Sequence, residues 1–222
     1  MWSQSGRPLT GPPKPLDEVG GGGGCVRGSL DDGGHGGIEA CVVVLQFVGH
    51  GGEGDDTLIG GAGHETVMKT VSNGAVALWW YKDQRRELAE DPRLIPNAIE
   101  EMLRWDNPAP LEGRQTTREV TLHGVTIPED SRVMINMGAA NHDERQYENP
   151  ELFDIHRKID HHLTFGYGLH FCIGAALARL EGRIALDEVL QRFPSWHVEA
   201  DRAVQVRTST VRGWDSLPVT TR

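Results

Sequence analysis

The stretch LTFGYGLHFCIG, residues 163–174, sets one histidine and one cysteine among glycines, aromatic and aliphatic residues, directly ahead of a helical segment. That segment carries apolar residues at Ile173, Leu177, Leu180, Ile184 and Leu190, a spacing that predicts a helix of about 20 residues, roughly 30 Å long. A thiol just before a helix lies near the positive end of the macrodipole and near unpaired amide N–H groups. Both favour thiolate over thiol. Gly166, Gly168 and Gly174 keep the adjoining backbone free of Cβ atoms, so a broad flat group can approach closely, while Phe165 and Phe171 supply apolar cover. An electron-rich thiolate beneath a wide apolar surface is what an iron porphyrin requires of an axial ligand.

The rest of the chain sets the frame. Its 222 residues suffice for one full domain and an appendage, since a domain of about 150 residues buries roughly 70% of the surface its unfolded chain exposes. The net charge of −10 argues against nucleic-acid binding, which needs a basic footprint. Cys25, Cys41 and Cys172 form no CxxC pair and no disulfide framework, which points to a reducing cytoplasm. The N-terminal residues show no secretory signal. The longest apolar run, CVVVLQFV at 41–48, is too short to span a membrane.

Glycine divides the chain in two. Nineteen of its 28 glycines lie in the first 63 residues, including the run Gly20 to Gly24. Residues 1–54 therefore read as a mostly disordered or mistranslated leader, with IEACVVVLQFV forming at most one short strand or helix. The polyglycine lacks the lysine and hydroxyl residue of a phosphate loop and reads as linker.

Residues 55–222 read differently. A helical stretch is expected over 56–89, weakened by Gly-Ala-Gly at 61–63, and a second helix over NAIEEMLRW, stopped by Pro108 and Pro110. Alternation at Val120 and Leu122, Val125 and Ile127, then Val133, Ile135 and Met137, predicts short strands of one small sheet. The expected fold class is mainly α with a small β-subdomain.

Residues 165–174 match the haem-binding signature of the cytochrome P-450 family, with Phe165, Gly166, Gly168, His170, Cys172 and Gly174 in the matching places. Glu101 and Arg104 in EMLR resemble the family's Glu-x-x-Arg pair, completed by Arg157 in FDIHRK. On spacing alone the pair is a solvated i, i+3 contact worth ~0.2–0.5 kcal/mol; the resemblance makes it a buried structural one. AGHET at 62–66 is similar to the centre of the family's oxygen-binding helix, which puts Glu65 and Thr66 in the places of its proton-delivering acid and alcohol. Arg114 and His170 match the residues that hold the haem propionates. His162 is a third candidate anchor, with His161 beside it left open.

The resemblance covers about residues 56–222 and lacks the upstream portion of the family's chain, as a truncation or reading-frame error would produce. It implies a partial cytochrome P-450 fold of the bacterial, soluble, cytoplasmic type. It further implies haem b bound to iron through Cys172, and O2-dependent hydroxylation of an apolar small molecule. Electrons would come from NAD(P)H through a separate ferredoxin or flavodoxin and its reductase, docking where Arg179 and Arg183 could meet an acidic surface. Two alternatives stand beside this reading. One is a non-catalytic remnant with weak or no haem binding. The other is a zinc cluster drawn from His156, His161, His162, His170 and Cys172.

Overall fold

Helix α1, Asp55–Trp80, opens the part of the chain that the computed structural model describes, residues 55–208 and 210–221, with side chains from residue 63 onward. The leader expected at 1–54 lies outside the described residues. α1 runs unbroken through Gly61 and Gly63, where a weak point was expected, and the helical stretch breaks instead at Tyr81 (φ −96°, ψ 65°), ahead of α2, Lys82–Glu90. Packing accounts for that break. The Tyr81 ring is drawn against Phe153 and Trp105, with centroids 5.4 and 6.2 Å away, and aromatic burial outweighs the small gain of one more helical residue.

After a 3-10 turn at Pro92–Leu94 comes α3, Ile95–Trp105, which starts with proline in its first turn and ends ahead of Asn107-Pro108. Strand β1 (Leu111–Gln115) pairs antiparallel with β4 (Arg132–Asn136), and β2 (Val120–Leu122) pairs with β3 (Val125–Ile127). The β2–β3 turn is His123-Gly124, both at positive φ, the two-residue connection that matches strand twist. The single sheet expected here is thus two separate two-stranded pairs. β1 was not foreseen, because LEGRQ carries neither alternation nor β-branched residues. Met137, expected as a strand residue, begins the short helix α4, Met137–Ala140.

The segment that follows contains no further α-helix until α5, Ala175–Arg192. Strands β5 (Trp196–Val198) and β8 (Val219–Thr221) pair, as do β6 (Val204–Gln205) and β7 (Trp214–Ser216). Helices α1, α3 and α5 pack on one another around a core that includes Leu78, Ile99, Leu103, Leu186 and Leu190, with Phe153 and Ile155 closing one side. A Cβ at Gly74 of α1 would lie 2.5 Å from Met102 Sδ of α3, so a larger residue there would require the flexible Met102 side chain to shift. The C-terminal strands are tied to α1: Lys69 Nζ reaches the Trp214 carbonyl and Asp215 at 2.8 and 3.2 Å, and Trp196 Nε1 donates to the Ala75 carbonyl at 3.0 Å. Among the described residues no helix is long and apolar enough to cross a membrane.

Candidate functional site

Adjacent residues on a helix point about 100° apart, and α3 uses that angle to send Glu100 and Glu101 into two different networks. Glu101 and Arg104 are completely buried and bidentate, at 2.7 and 2.8 Å. The Arg157 guanidinium and the Asp154 amide donate to Glu101 Oε1 at 3.2 and 2.9 Å. The remaining N–H groups of Arg104 go to the carbonyls of Asn141 (2.8 Å), Pro150 (3.0 Å) and Leu152 (3.3 Å). Arg157 takes those of Glu148, Leu152 and Asn149. Two cations and one carboxylate therefore organise the irregular segment 141–157 by collecting its carbonyl groups.

Asn141, fully buried, carries that order to the cysteine loop. Its Oδ1 accepts from the Leu163 amide at 2.8 Å, and its Nδ2 donates to Thr164 Oγ1 at 2.9 Å. That hydroxyl in turn donates to the Leu103 carbonyl at 2.7 Å.

Glu100 reaches the same loop from its other flank. Its Oε2 lies 3.1 Å from His162 Nε2, while Arg179 of α5 donates through Nε to Oε1 at 2.7 Å and through Nη2 to Oε2 at 2.9 Å. The other nitrogen of His162, Nδ1, accepts from the Thr164 amide at 3.2 Å, which assigns the hydrogen to Nε2. Burial alone would raise the Glu100 carboxyl. Hydrogen bonds from His162 and Arg179, with the Arg179 charge, outweigh it and hold the carboxyl at about 2, below its ordinary 4.5. The Arg179 guanidinium also lies 4.5 Å from the centroid of the Phe165 ring, over its face.

Above these networks the loop turns outward. Gly166 and Gly168 sit at φ +72° and +67°, which few side-chain-bearing residues adopt. They let the chain double back so that the Cys172 amide donates to the Phe165 carbonyl at 2.8 Å. Gly168–His170 forms one 3-10 turn, Gly174 caps α5, and Cys172 stands between them as an exposed free thiol. Leu169 and Ile173 are fully exposed and Phe171 half exposed around it, and a Cβ at Gly168 would meet nothing within 4 Å.

This is an apolar, open platform with a thiol in it, held rigidly from below. It decides how the comparisons are read. The family model for cytochrome P450 matches residues 83–213. The chain belongs to the cytochrome P-450 family. It is similar to the cytochrome P-450 CYP107DY1 of Priestia megaterium, with 42% identity over 71% of this chain and 39% of that protein. It also resembles the vitamin D(3) 25-hydroxylase of Pseudonocardia autotrophica, with 44% identity over 72% of this chain and 40% of the relative. The crystal structure of the P-450 enzyme CYP109B1 from Bacillus subtilis superposes with a TM-score of 0.71 at 36% identity, covering 74% of this chain and 43% of that one. The chain thus spans about two-fifths of the length of the curated relatives it matches. Membership implies haem as cofactor. The platform fits haem on its own chemistry: an unpaired, accessible sulfur, apolar side chains turned outward around it, and no Cβ in the way at Gly168.

The other expected site residues lie as follows. Glu65 is exposed and Thr66 half-buried on α1, which packs against α5; the Thr66 carbonyl accepts from Thr70 Oγ1 at 2.9 Å. Arg114 lies on β1, with Nη1 on the Gly113 carbonyl at 2.8 Å and Glu112 at 3.6 Å. His170 is exposed at the loop tip, and Gly174 lies beside Cys172.

Three expectations need correction. His162 is not open as a propionate anchor, because both ring nitrogens are engaged and the side chain is buried. Arg179 is not a free docking cation, because Glu100 and Phe165 occupy it. The zinc cluster does not form: His156 pairs with Glu87 at 2.8 Å, and among the described residues no three His, Cys, Asp or Glu side chains gather as ligands. Glu100, Asn141 and Thr164 went unforeseen. The only signal for Glu100 was its place beside Glu101, and AANHDERQ around Asn141 gave none.

Proposed function

We propose that these residues are the haem-thiolate portion of a bacterial-type monooxygenase. It would act on an apolar small molecule, with Cys172 as the residue whose sulfur would hold the iron of haem b. The exposed Cys172 thiol, on a loop anchored by α3 and ringed by outward apolar side chains, carries this reading. Haem, when bound, supplies the redox chemistry that inserts one oxygen atom of O2 into a C–H bond.

The chain's own residues do the rest. Gly166 and Gly168, both at positive φ, let the loop double back, and the Phe165 carbonyl fixes the Cys172 backbone. Phe165 and Gly174 shape the loop beneath the ring. Arg114 and His170 supply charged or hydrogen-bonding groups for the propionates. Glu65 and Thr66 on α1 would supply and relay protons between solvent and the bound haem. Glu101, Arg104 and Arg157 hold the scaffold that sets the height of the loop. Electrons come from NAD(P)H through a separate ferredoxin or flavodoxin and its reductase.

The second reading is a remnant that binds haem weakly and does not hydroxylate. It is favoured by the outer face of α5, where Leu177, Leu180 and Ile184 are half exposed and nothing among the described residues covers them. That uncovered face would leave the site open to water, which a monooxygenase must exclude.

A spectrum separates the two. Reduced protein under carbon monoxide is expected to give the strongly red-shifted Soret band of a thiolate complex. Cys172→Ala should lose that band, and Cys25→Ala and Cys41→Ala should keep it. A band that survives Cys172→Ala overturns the assignment. Substoichiometric haem and no coupled product from the 222-residue protein would favour the remnant.

A further inference from the structure

The chain from His162 to Arg179 starts beside α3, turns through the cysteine loop and returns along the first turns of α5. The two ends of this excursion meet on one side chain. Glu100 Oε2 takes His162 Nε2 at 3.1 Å and Arg179 Nη2 at 2.9 Å, and Oε1 takes Arg179 Nε at 2.7 Å. Cys172 lies between those ends, and its position is fixed by few contacts of its own: its amide bonds to Phe165, its carbonyl accepts from Ala175, and its sulfur is exposed.

We infer that Glu100 is a positioning residue for Cys172, a clasp that closes the cysteine loop by fixing the distance between its first residue and the helix that follows it. The argument is geometric. His162 passes the constraint to the loop backbone through its Nδ1 and the Thr164 amide. Arg179 passes it to the Phe165 ring by stacking at 4.5 Å. Phe165 in turn supplies the carbonyl that holds the Cys172 amide at 2.8 Å. Release of the clasp frees both routes together, because one carboxylate carries both. The Glu101 network does not replace it: Asn141 and Leu103 hold Leu163 and Thr164, at the loop's start, and make no bond to α5. The lowered carboxyl of Glu100 agrees with a permanent anion in this place. The inference builds on Cys172 as the working thiol, yet its test reads the loop itself.

Hydrogen exchange by mass spectrometry on the full 222-residue protein, without haem, supplies that test. In Glu100→Ala the peptide covering 163–174 should exchange about tenfold faster, the loss expected for charge-assisted hydrogen bonds, while core peptides of α3 and α5 keep the parent rate. Glu100→Gln should fall between, and Arg179→Lys should retain part of the protection; both preserve the shape of the site should the alanine variant fold poorly. Leu190→Ala serves as the purely structural control and should raise exchange throughout. Unchanged exchange at 163–174, or a rise spread evenly over the chain as in Leu190→Ala, overturns the clasp.

A spectroscopic arm extends the test. In haem-loaded Glu100→Gln a smaller fraction of the carbon monoxide complex should carry the red-shifted band, with haem affinity lowered about tenfold. A parent that shows no such band refutes the haem ligand and leaves the exchange result standing, so the two ideas fail separately.

Discussion

The cysteine loop has two ends of opposite character. Its base, residues 162–165, is enclosed, and side chains on α3 or beside it take up its polar groups: Asn141 and Thr164 on one flank, Glu100 and Arg179 on the other. Its tip, residues 166–174, meets solvent with Tyr167, Leu169, Phe171 and Ile173 and makes only local backbone bonds. Base and tip are contiguous in sequence and differ in what they do. The base stores stability in satisfied buried polar groups. The tip offers an unsatisfied apolar surface and a thiol, which gain only when something covers them. Substitutions at the base should therefore be read in folding, and substitutions at the tip in binding.

The largest break is expected at Arg104. Arg104→Leu leaves buried Glu101 with Arg157 as its one remaining cation and strips the guanidinium from the carbonyls of Asn141 and Pro150, at a cost of about 3–5 kcal/mol. Chemical denaturation should show loss of most of the folded population. Stability within 1 kcal/mol of the parent, a threshold taken from the range for surface pairs, would mean that the network is less closed than its geometry implies. Asn141→Ala comes next, at about 2–3 kcal/mol, because the Leu163 amide and the Thr164 hydroxyl lose partners in a site closed to water.

Much of this contrast could be read in the sequence, and its physical limits are visible in particular residues. The tip was legible because function constrains it locally: glycines at 166 and 168 meet a backbone demand, and Cys172 a chemical one. Spacing alone made Glu101 and Arg104 a solvated i, i+3 pair, and only the family resemblance marked them as buried. Asn141 and Glu100 were not, since their partners lie 22 and 62 or more residues away and an isolated Asn or Glu carries no periodic signature. The helices were placed by apolar periodicity, yet the same signal is silent about coverage. α5 carries apolar residues on two faces, a pattern of a helix buried all round. The structure covers only the face with Leu186 and Leu190 and leaves Leu177, Leu180 and Ile184 half exposed. Strand β1 was missed because its residues owe their conformation to pairing with β4 rather than to propensity.

Acid provides a graded way to open the base from the Glu100 side. The folded carboxyl sits at about 2 and its ordinary value is 4.5. The unfolded chain therefore takes up a proton first as pH falls, and the stabilisation, fully present above about pH 4.5, drains away between there and pH 2. The expected loss is on the order of 1–2 kcal/mol, below that of Asn141→Ala. Glu100→Gln should flatten this part of the stability–pH curve, measured by urea denaturation at fixed ionic strength. An identical slope in parent and variant would assign the acid sensitivity to other carboxylates.

The smallest effect on folding is expected at the residue with the largest expected effect on function. Cys172→Ala removes an exposed sulfur with no hydrogen-bonded role among the described residues, and its backbone bonds to Phe165 and Ala175 survive the change. An alanine there meets no clash, and the stability of the haem-free protein should stay within about 0.5 kcal/mol of the parent. Haem-loaded protein should respond in the opposite way, losing the red-shifted carbon monoxide band entirely. Measuring both quantities on one preparation places Cys172 on either side of the contrast between base and tip. Unchanged folding with an absent band assigns it to the tip, as a ligand that the fold presents and does not need. A loss of several kcal/mol before haem is added would move it to the base, as a structural thiol whose exposure is misleading, and the haem-thiolate proposal would then have to rest on a different residue.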